Sequence, residues 1–337
     1  MSEFPSRRFK TSFQTALAMV LAYGFALSQD WDKPMWAAFA VAFISMSTAD
    51  ESLFKGAQRM LGTLAAAVVS LTIIGLCAQD RWLFMVMLSS WIGFSTYQMS
   101  GSRYPYFWFC CGFVAAIIAM DTGPNALNAF ATAVLRTLET GLGILVYSLV
   151  ALLVWPKHEE KEADAQSQDS RPPEATRVGA ALKVMIIYWT GYLAVIYIPD
   201  FPGGIGFLAM TAPIAMTLAN TPQLRPQAVF IPAATSLAFA GFAYMLLLPK
   251  LSSFTQLAPV LFGFTLAICY LFYSPQKMLG RAFGLALFFA TTSIQNEQTY
   301  SFLAWANTSL MFALLCVLLV MADDLPWSTR PAAAQPG

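Results

Sequence analysis

Twelve apolar runs, each near the length of a bilayer crossing and separated by polar turns, constrain what this 337-residue chain can become. In hydrocarbon no water is present to satisfy a backbone N–H or C=O, so an apolar run of roughly 20 residues folds as a helix. The runs cover residues 13–28, 35–48, 60–77, 82–99, 106–120 and 133–155, then 178–198, 205–218, 229–248, 257–273, 279–294 and 301–321. The sequence therefore predicts an all-α polytopic membrane protein with about twelve transmembrane helices. Composition agrees: 58% of residues are hydrophobic and 11% charged, against about 45–50% and about 25% in soluble domains. The first run is followed by Gln29-Asp30 without a small-residue cleavage pattern, so it reads as a retained helix.

Between the sixth and seventh runs lies KHEEKEADAQSQDSRPPEATR, residues 157–177. Its charges and prolines cannot bury a core, which marks it as a cytoplasmic linker. It divides the chain into a first six-helix unit, 1–156, and a second, 178–325, with a tail at 326–337 expected to be disordered. An even number of crossings makes the two halves a parallel repeat. A shift of 171 residues lays Trp36 over Phe207, Gly62-Thr63 over Ala233-Ala234, and Arg136-Thr137 over Asn307-Thr308. With the N-terminus inside, only Lys33, Arg81, Arg136 and Lys250 of the 19 Lys and Arg residues fall on the outer side. The positive-inside rule then places both termini and the linker in the cytoplasm.

Several classes of function drop out. A net charge of +1 supplies no basic patch for a nucleic acid. His158 is the only histidine, so a histidine-based catalytic pair or metal centre has too few members. The five cysteines sit within or at the ends of apolar runs, without zinc spacing. No GxxxxGK[ST] loop appears, so energy has to come from an ion gradient or the substrate's own gradient. The chain reads as a non-enzyme with no cofactor and no metal.

Arg136 and Glu139 form the one opposite-charge pair inside an apolar run, and their i, i+3 spacing puts them on one helix face. Ionisable groups in a membrane are costly and point to function. Arg136 can hold a carboxylate through its planar fork, and Glu139 can exchange a proton. A structural pair reaching toward the outer interface accounts for the same residues. Asn307 stands at the matching place in the second half. Asp121, at the end of the fifth run, is a further proton-coupling candidate. The second and fifth runs of each half are short, and Pro213 interrupts the eighth. Short or interrupted segments at matching places point to a binding site between the halves. Tilt or local thinning of the bilayer would also absorb the shortfall. Arg103 and Arg281 each begin a fifth run; topology alone predicts them there, and a role in drawing anions to an entrance is the alternative.

One stretch, 36–63, is more specific. It reads as an apolar segment leaving the membrane through a charged turn of Asp50, Glu51, Lys55 and Arg59 and re-entering at Gly62-Thr63. Trp36-Ala37, Lys55, Arg59 and Gly62-Thr63 resemble the signature of the fusaric acid resistance family, which includes bacterial aromatic acid exporters. Arg136, Glu139 and Gly143, closing on Trp155-Pro156, are similar to the sixth-helix pattern of that family and of the related plant aluminium-activated malate channels. The resemblance is good over residues 8–156 and weaker over 178–325. It implies a bacterial inner-membrane efflux component for small, aromatic organic acids, working beside a periplasmic adaptor of the membrane-fusion type. Many members carry a large cytosolic domain, which this sequence lacks. Membrane lipids, the organic anion, the adaptor and further copies of the chain are the expected partners. A passive anion channel and a non-transporting membrane scaffold are the alternatives. In the hairpin, Gly62 is expected to admit a close helix, with Lys55 and Arg59 at the inner membrane surface, where they can pair with Asp50 and Glu51 or with lipid phosphate.

Overall fold

The computed structural model of the chain describes residues 6–45, 49–122, 128–155, 172–221, 226–298 and 300–323. Linker residues 157–171 with His158, the tail 326–337, and the side chains of Asp50 and Glu51 lie outside the described residues. The helices are α1 (Arg7–Ser28), α2 (Met35–Ile44), α3 (Ala49–Cys77), α4 (Arg81–Gly101), α5 (Pro105–Thr122), α6 (Ala129–Leu153), α7 (Glu174–Tyr197), α8 (Ile205–Asn220), α9 (Pro226–Phe242), α10 (Phe254–Leu271), α11 (Met278–Thr292) and α12 (Phe302–Asp323). Each apolar run overlaps one of them. Among the described residues, seven helical stretches are long and apolar enough to cross a membrane, and three apolar stretches, Met35–Ile44, Ile205–Asn220 and Phe302–Leu318, are shorter. The chain is a multi-pass membrane protein.

Local chemistry sets the ends. Asp80 accepts from the backbone N–H of Trp82 at 2.8 Å and of Leu83 at 3.1 Å, which starts α4. Ser6 accepts the Phe9 N–H at 3.4 Å at the start of α1. Inside the helices, buried threonines donate to the carbonyl four residues back. Thr211 does so to Phe207 and Thr217 to Pro213, both at 2.7 Å. Hydroxyls are thereby satisfied where no water reaches.

The stretch 49–59 departs from the expected turn. α3 begins at Ala49, so Lys55 and Arg59 lie on its first turns. Arg59 is 3% exposed, so its guanidinium is enclosed by protein and does not face lipid phosphate. The sequence there offers one opposite-charge i, i+4 pair, Glu51 to Lys55, and no proline, so helix propagation wins over a turn.

The chain divides into two compact units. The first gathers residues 1–57, 135–160 and 225–309. In it α1 packs on α2 and α10, α2 packs on α11, and α11 packs on α9. The second gathers residues 58–134, 161–224 and 310–337. In it α7 packs on α8 and α4, α8 packs on α5, and α5 packs on α4. Each unit takes helices from both sides of the polar stretch, so neither coincides with residues 1–156 or 178–325.

Each unit encloses two of its helices. Every residue of α2 from Trp36 to Ile44 is buried, and α11 is buried from Gly280 through Phe289. In the second unit, α5 is buried from Phe109 through Met120 and α8 along most of 207–217. A helix that is apolar all round packs inside. α6, by contrast, exposes Leu138, Leu145, Leu149 and Leu152, a single face at helical spacing that suits lipid.

Candidate substrate site

The first unit's site begins with a contact between helices. A Cβ on Gly143 would stand 2.5 Å from the Ala40 Cβ and 2.6 Å from the Ala37 carbonyl oxygen, so α6 lies directly against α2. Two turns back along α6, Arg136 lies over the ring of Trp36, with the guanidinium carbon 4.9 Å from the ring centre. Trp36 is in turn braced edge-on by Phe39, with ring centres 4.7 Å apart. A cation over an indole face is attracted by the ring quadrupole, more so when water is excluded. Trp36 is 7% exposed and Arg136 4%.

Arg136 forms an ion pair with Glu139, whose side chain is wholly buried. The i, i+3 pair expected from the sequence is therefore made, and it lies inside the unit. Tyr23 of α1 lies within electrostatic reach of Glu139 and donates to the Ile294 carbonyl at 2.8 Å. Its ring stacks on Phe289 of α11 at 5.2 Å. The Trp36 indole N–H is buried and has no acceptor among the described residues.

The other end of α2 carries a second guanidinium. Arg281, in the first turn of α11, is 1% exposed. Its Nη2 donates to the Ser45 carbonyl at 3.3 Å, just past the end of α2. Its Nε and Nη1 have no acceptor among the described residues. Tyr147 of α6 and Cys269 of α10 lie within its electrostatic reach. Positive-inside counting places Arg281 at a membrane surface, whereas it is one of the largest fully buried side chains. The signal that marks it is Gly280-Arg281-Ala282-Phe283-Gly284: small neighbours let adjacent helices close over the side chain. Arg103, at the start of α5, stays exposed.

The remaining candidates are scattered. Lys55 is half-buried on α3 in the first unit, and Asn307 is exposed on α12. In the second unit, Arg59 donates from Nη1 to the Tyr106 hydroxyl at 3.0 Å, and its guanidinium carbon lies 5.7 Å from the Phe113 ring centre. Gly62 admits α5: a Cβ there would stand 2.6 Å from the Cys110 Cβ and 2.8 Å from the Phe107 carbonyl oxygen. Thr63 is fully buried. Pro213 is buried in α8, and Asp121 is partly exposed near the end of α5. The signature residues thus divide between the units, with Trp36 and Lys55 in one and Arg59, Gly62 and Thr63 in the other.

A family model described as the fusaric acid resistance protein family matches the chain twice, over residues 8–181 and 175–334. An uncharacterized transporter of Salmonella typhimurium, YdhK, is 29% identical over 153 residues, which is 44% of this chain and 22% of that protein. The p-hydroxybenzoic acid efflux pump subunit AaeB of Escherichia coli K12 is 27% identical over 170 residues, 47% of this chain and 26% of that protein. The chain spans about a quarter of the length of the curated relatives it matches. No solved structure matches it.

Proposed function

The chain belongs to the fusaric acid resistance protein family, and from that premise we propose that it exports small organic acids, aromatic ones among them, across the bacterial inner membrane. The observation that carries this reading is a guanidinium and a carboxylate buried together beside the signature tryptophan, in a unit whose inner helices are otherwise apolar. A group that neutralises an arginine inside a membrane can be exchanged for another carboxylate of the same charge. The Trp36 face suits an aromatic ring, and its indole N–H is a donor for a ligand oxygen.

Glu139 and a substrate carboxylate compete for Arg136. Protonating Glu139 removes the competitor, so proton and anion favour each other's binding. An acid carried with its proton crosses as a neutral pair, driven outward by its own gradient and opposed by an inward proton gradient, so the pH arm of the test reads the coupling. An anion carried alone leaves a negative interior, which favours exit by about 2.3 kcal/mol per 100 mV. Asp121 and Pro213 are assigned proton exchange and helix interruption in the second unit. Asn307, being exposed, takes no part in this reading. A periplasmic adaptor and further copies of the chain remain proposed partners.

Twelve crossings in two parallel six-helix repeats, with cytoplasmic termini, complete the proposal. Two observations support the repeat. The family model matches twice, and the helix pairings of one unit become those of the other when 171 residues separate equivalent positions: α1 with α2 and α10 answers to α7 with α8 and α4.

The test is flux of labelled 4-hydroxybenzoate from proteoliposomes holding the full chain. Saturable flux is expected, lost in Arg136→Ala. Because that variant leaves Glu139 buried without its arginine, the pair substitution Arg136→Gln with Glu139→Gln is measured beside it, and both are expected to be inactive. Separate arms impose a pH gradient and a membrane potential. Monodisperse wild-type protein that moves no carboxylate overturns the function and favours a scaffold. Flux that rises linearly without saturation and follows voltage alone favours a channel. Normal flux in the pair substitution overturns the site.

A further inference from the structure

The first unit encloses two arginines, one near each end of α2, and among the described residues only Arg136 has a carboxylate partner. Nine residues separate Trp36 from Ser45, or about 14 Å of helix. We propose that Arg281 is a second anion station, holding the carboxylate of the transported acid at the Ser45 end of α2 and exchanging it with Arg136 along that helix. This rests on the export reading and adds to it the residue and ligand chemistry of the far end.

Burial at 1% exposure removes the guanidinium from water, and the Ser45 carbonyl satisfies one of its five N–H donors. A cation enclosed with open donors and no described carboxylate costs the fold stability and offers a ligand its charge. Hydrogen bonds between ionised partners are the strong ones, and the fork matches a planar carboxylate. The Tyr147 hydroxyl and the Cys269 thiol, within electrostatic reach, are further donors suited to an anion. Arg281 also sits in the first turn of α11, where the helix dipole favours negative charge. Phe43 and Phe283, edge to face at 5.5 Å, place an apolar surface on the same two helices for the non-polar part of the acid.

Equilibrium binding of labelled 4-hydroxybenzoate to the full chain in nanodiscs tests this, with 4-hydroxybenzamide as the neutral isostere and chloride and phosphate as competitors. Wild-type protein is expected to bind the acid and not the amide. Arg281→Gln is expected to weaken binding roughly 10- to 100-fold, the size of a lost charge-assisted contact. Arg281→Lys, which keeps the charge but not the fork, is expected to fall between the two and decides the matter if the glutamine variant does not fold. Unchanged affinity in a folded Arg281 variant, with wild-type flux intact, overturns the second station and leaves the export reading standing. Protein that neither binds nor moves any carboxylate overturns both. Complete displacement by equimolar chloride or phosphate also overturns the carboxylate assignment.

Discussion

Replacing Gly143 by alanine places one methyl group in the closest contact between α6 and α2. The new Cβ would lie 2.5 Å from the Ala40 Cβ and 2.6 Å from the Ala37 carbonyl oxygen. Carbon contacts settle at about 3.5–4.0 Å, so the helices must part by roughly 1 Å. Neither opposing atom is the end of a flexible side chain, and the strain falls on backbone. Overpacking of this kind costs about 1–3 kcal/mol. A shift of that size also draws Arg136 off the Trp36 face. Gly263 of α10, where an added Cβ meets nothing within 4 Å, is the control. There alanine is expected to be neutral or to stabilise by up to about 1 kcal/mol, the helix propensity difference. Equilibrium unfolding in mixed micelles reads both variants, and 4-hydroxybenzoate flux per folded molecule reads the site. Equal stabilities for the two variants would refute the close approach of α6 to α2. Lost stability with flux unchanged would refute the claim that this contact positions Arg136.

Two further substitutions separate packing from charge. Trp36→Leu is expected to cost about 2 kcal/mol from lost ring burial and cation attraction, with most of it restored in Trp36→Phe; a double-mutant cycle against the Arg136/Glu139 pair should give a coupling of about 0.5–2 kcal/mol, and zero coupling removes the cation–ring contact. Arg59→Gln, which loses the Tyr106 hydroxyl, is expected to destabilise by about 1–3 kcal/mol while leaving 4-hydroxybenzoate affinity unchanged; a folded variant with weakened binding would place Arg59 in the site.

The helices were legible because apolar runs in a membrane protein have one stable backbone solution. The Arg136–Glu139 pair was legible for a local reason as well, since i, i+3 spacing fixes a shared face. The start of α3 was not, because charges such as Glu51 and Lys55 fit a solvated turn as well as the first turns of a helix. Arg281 is named in the sequence as a cation at an entrance, but its burial is not legible there, for a non-local reason. A long cationic side chain near a helix end ordinarily reaches for water, and whether it does depends on what packs over it. The cover comes from α2, α6 and α10, distant in sequence and joined by faces of alanine, glycine and phenylalanine that carry no pairing code. The same holds for the pairing of α2 with α11 and of α8 with α5.

Under the proposed 171-residue repeat, Arg59 falls on Phe230 and Cys110 falls on Arg281. The helix pair α3 and α5 in one unit corresponds to α9 and α11 in the other, and each pair buries one guanidinium. The first member supplies it in one unit and the second member in the other. Burying an arginine costs several kcal/mol, so two independent accidents would be selected against. What differs is closure. Arg59 donates to the Tyr106 hydroxyl and faces Phe113, whereas lysine stands at the place of that tyrosine in the repeat, at position 277, and among the described residues Arg281 donates to the Ser45 carbonyl alone. Duplication would then have kept a buried cation in both units, with a side-chain acceptor beside it in one and a backbone carbonyl in the other. The proposed carboxylate stations accordingly both fall in the first unit, and Arg59 is read as a mainly structural cation in the second, where Asp121 keeps its proposed proton exchange.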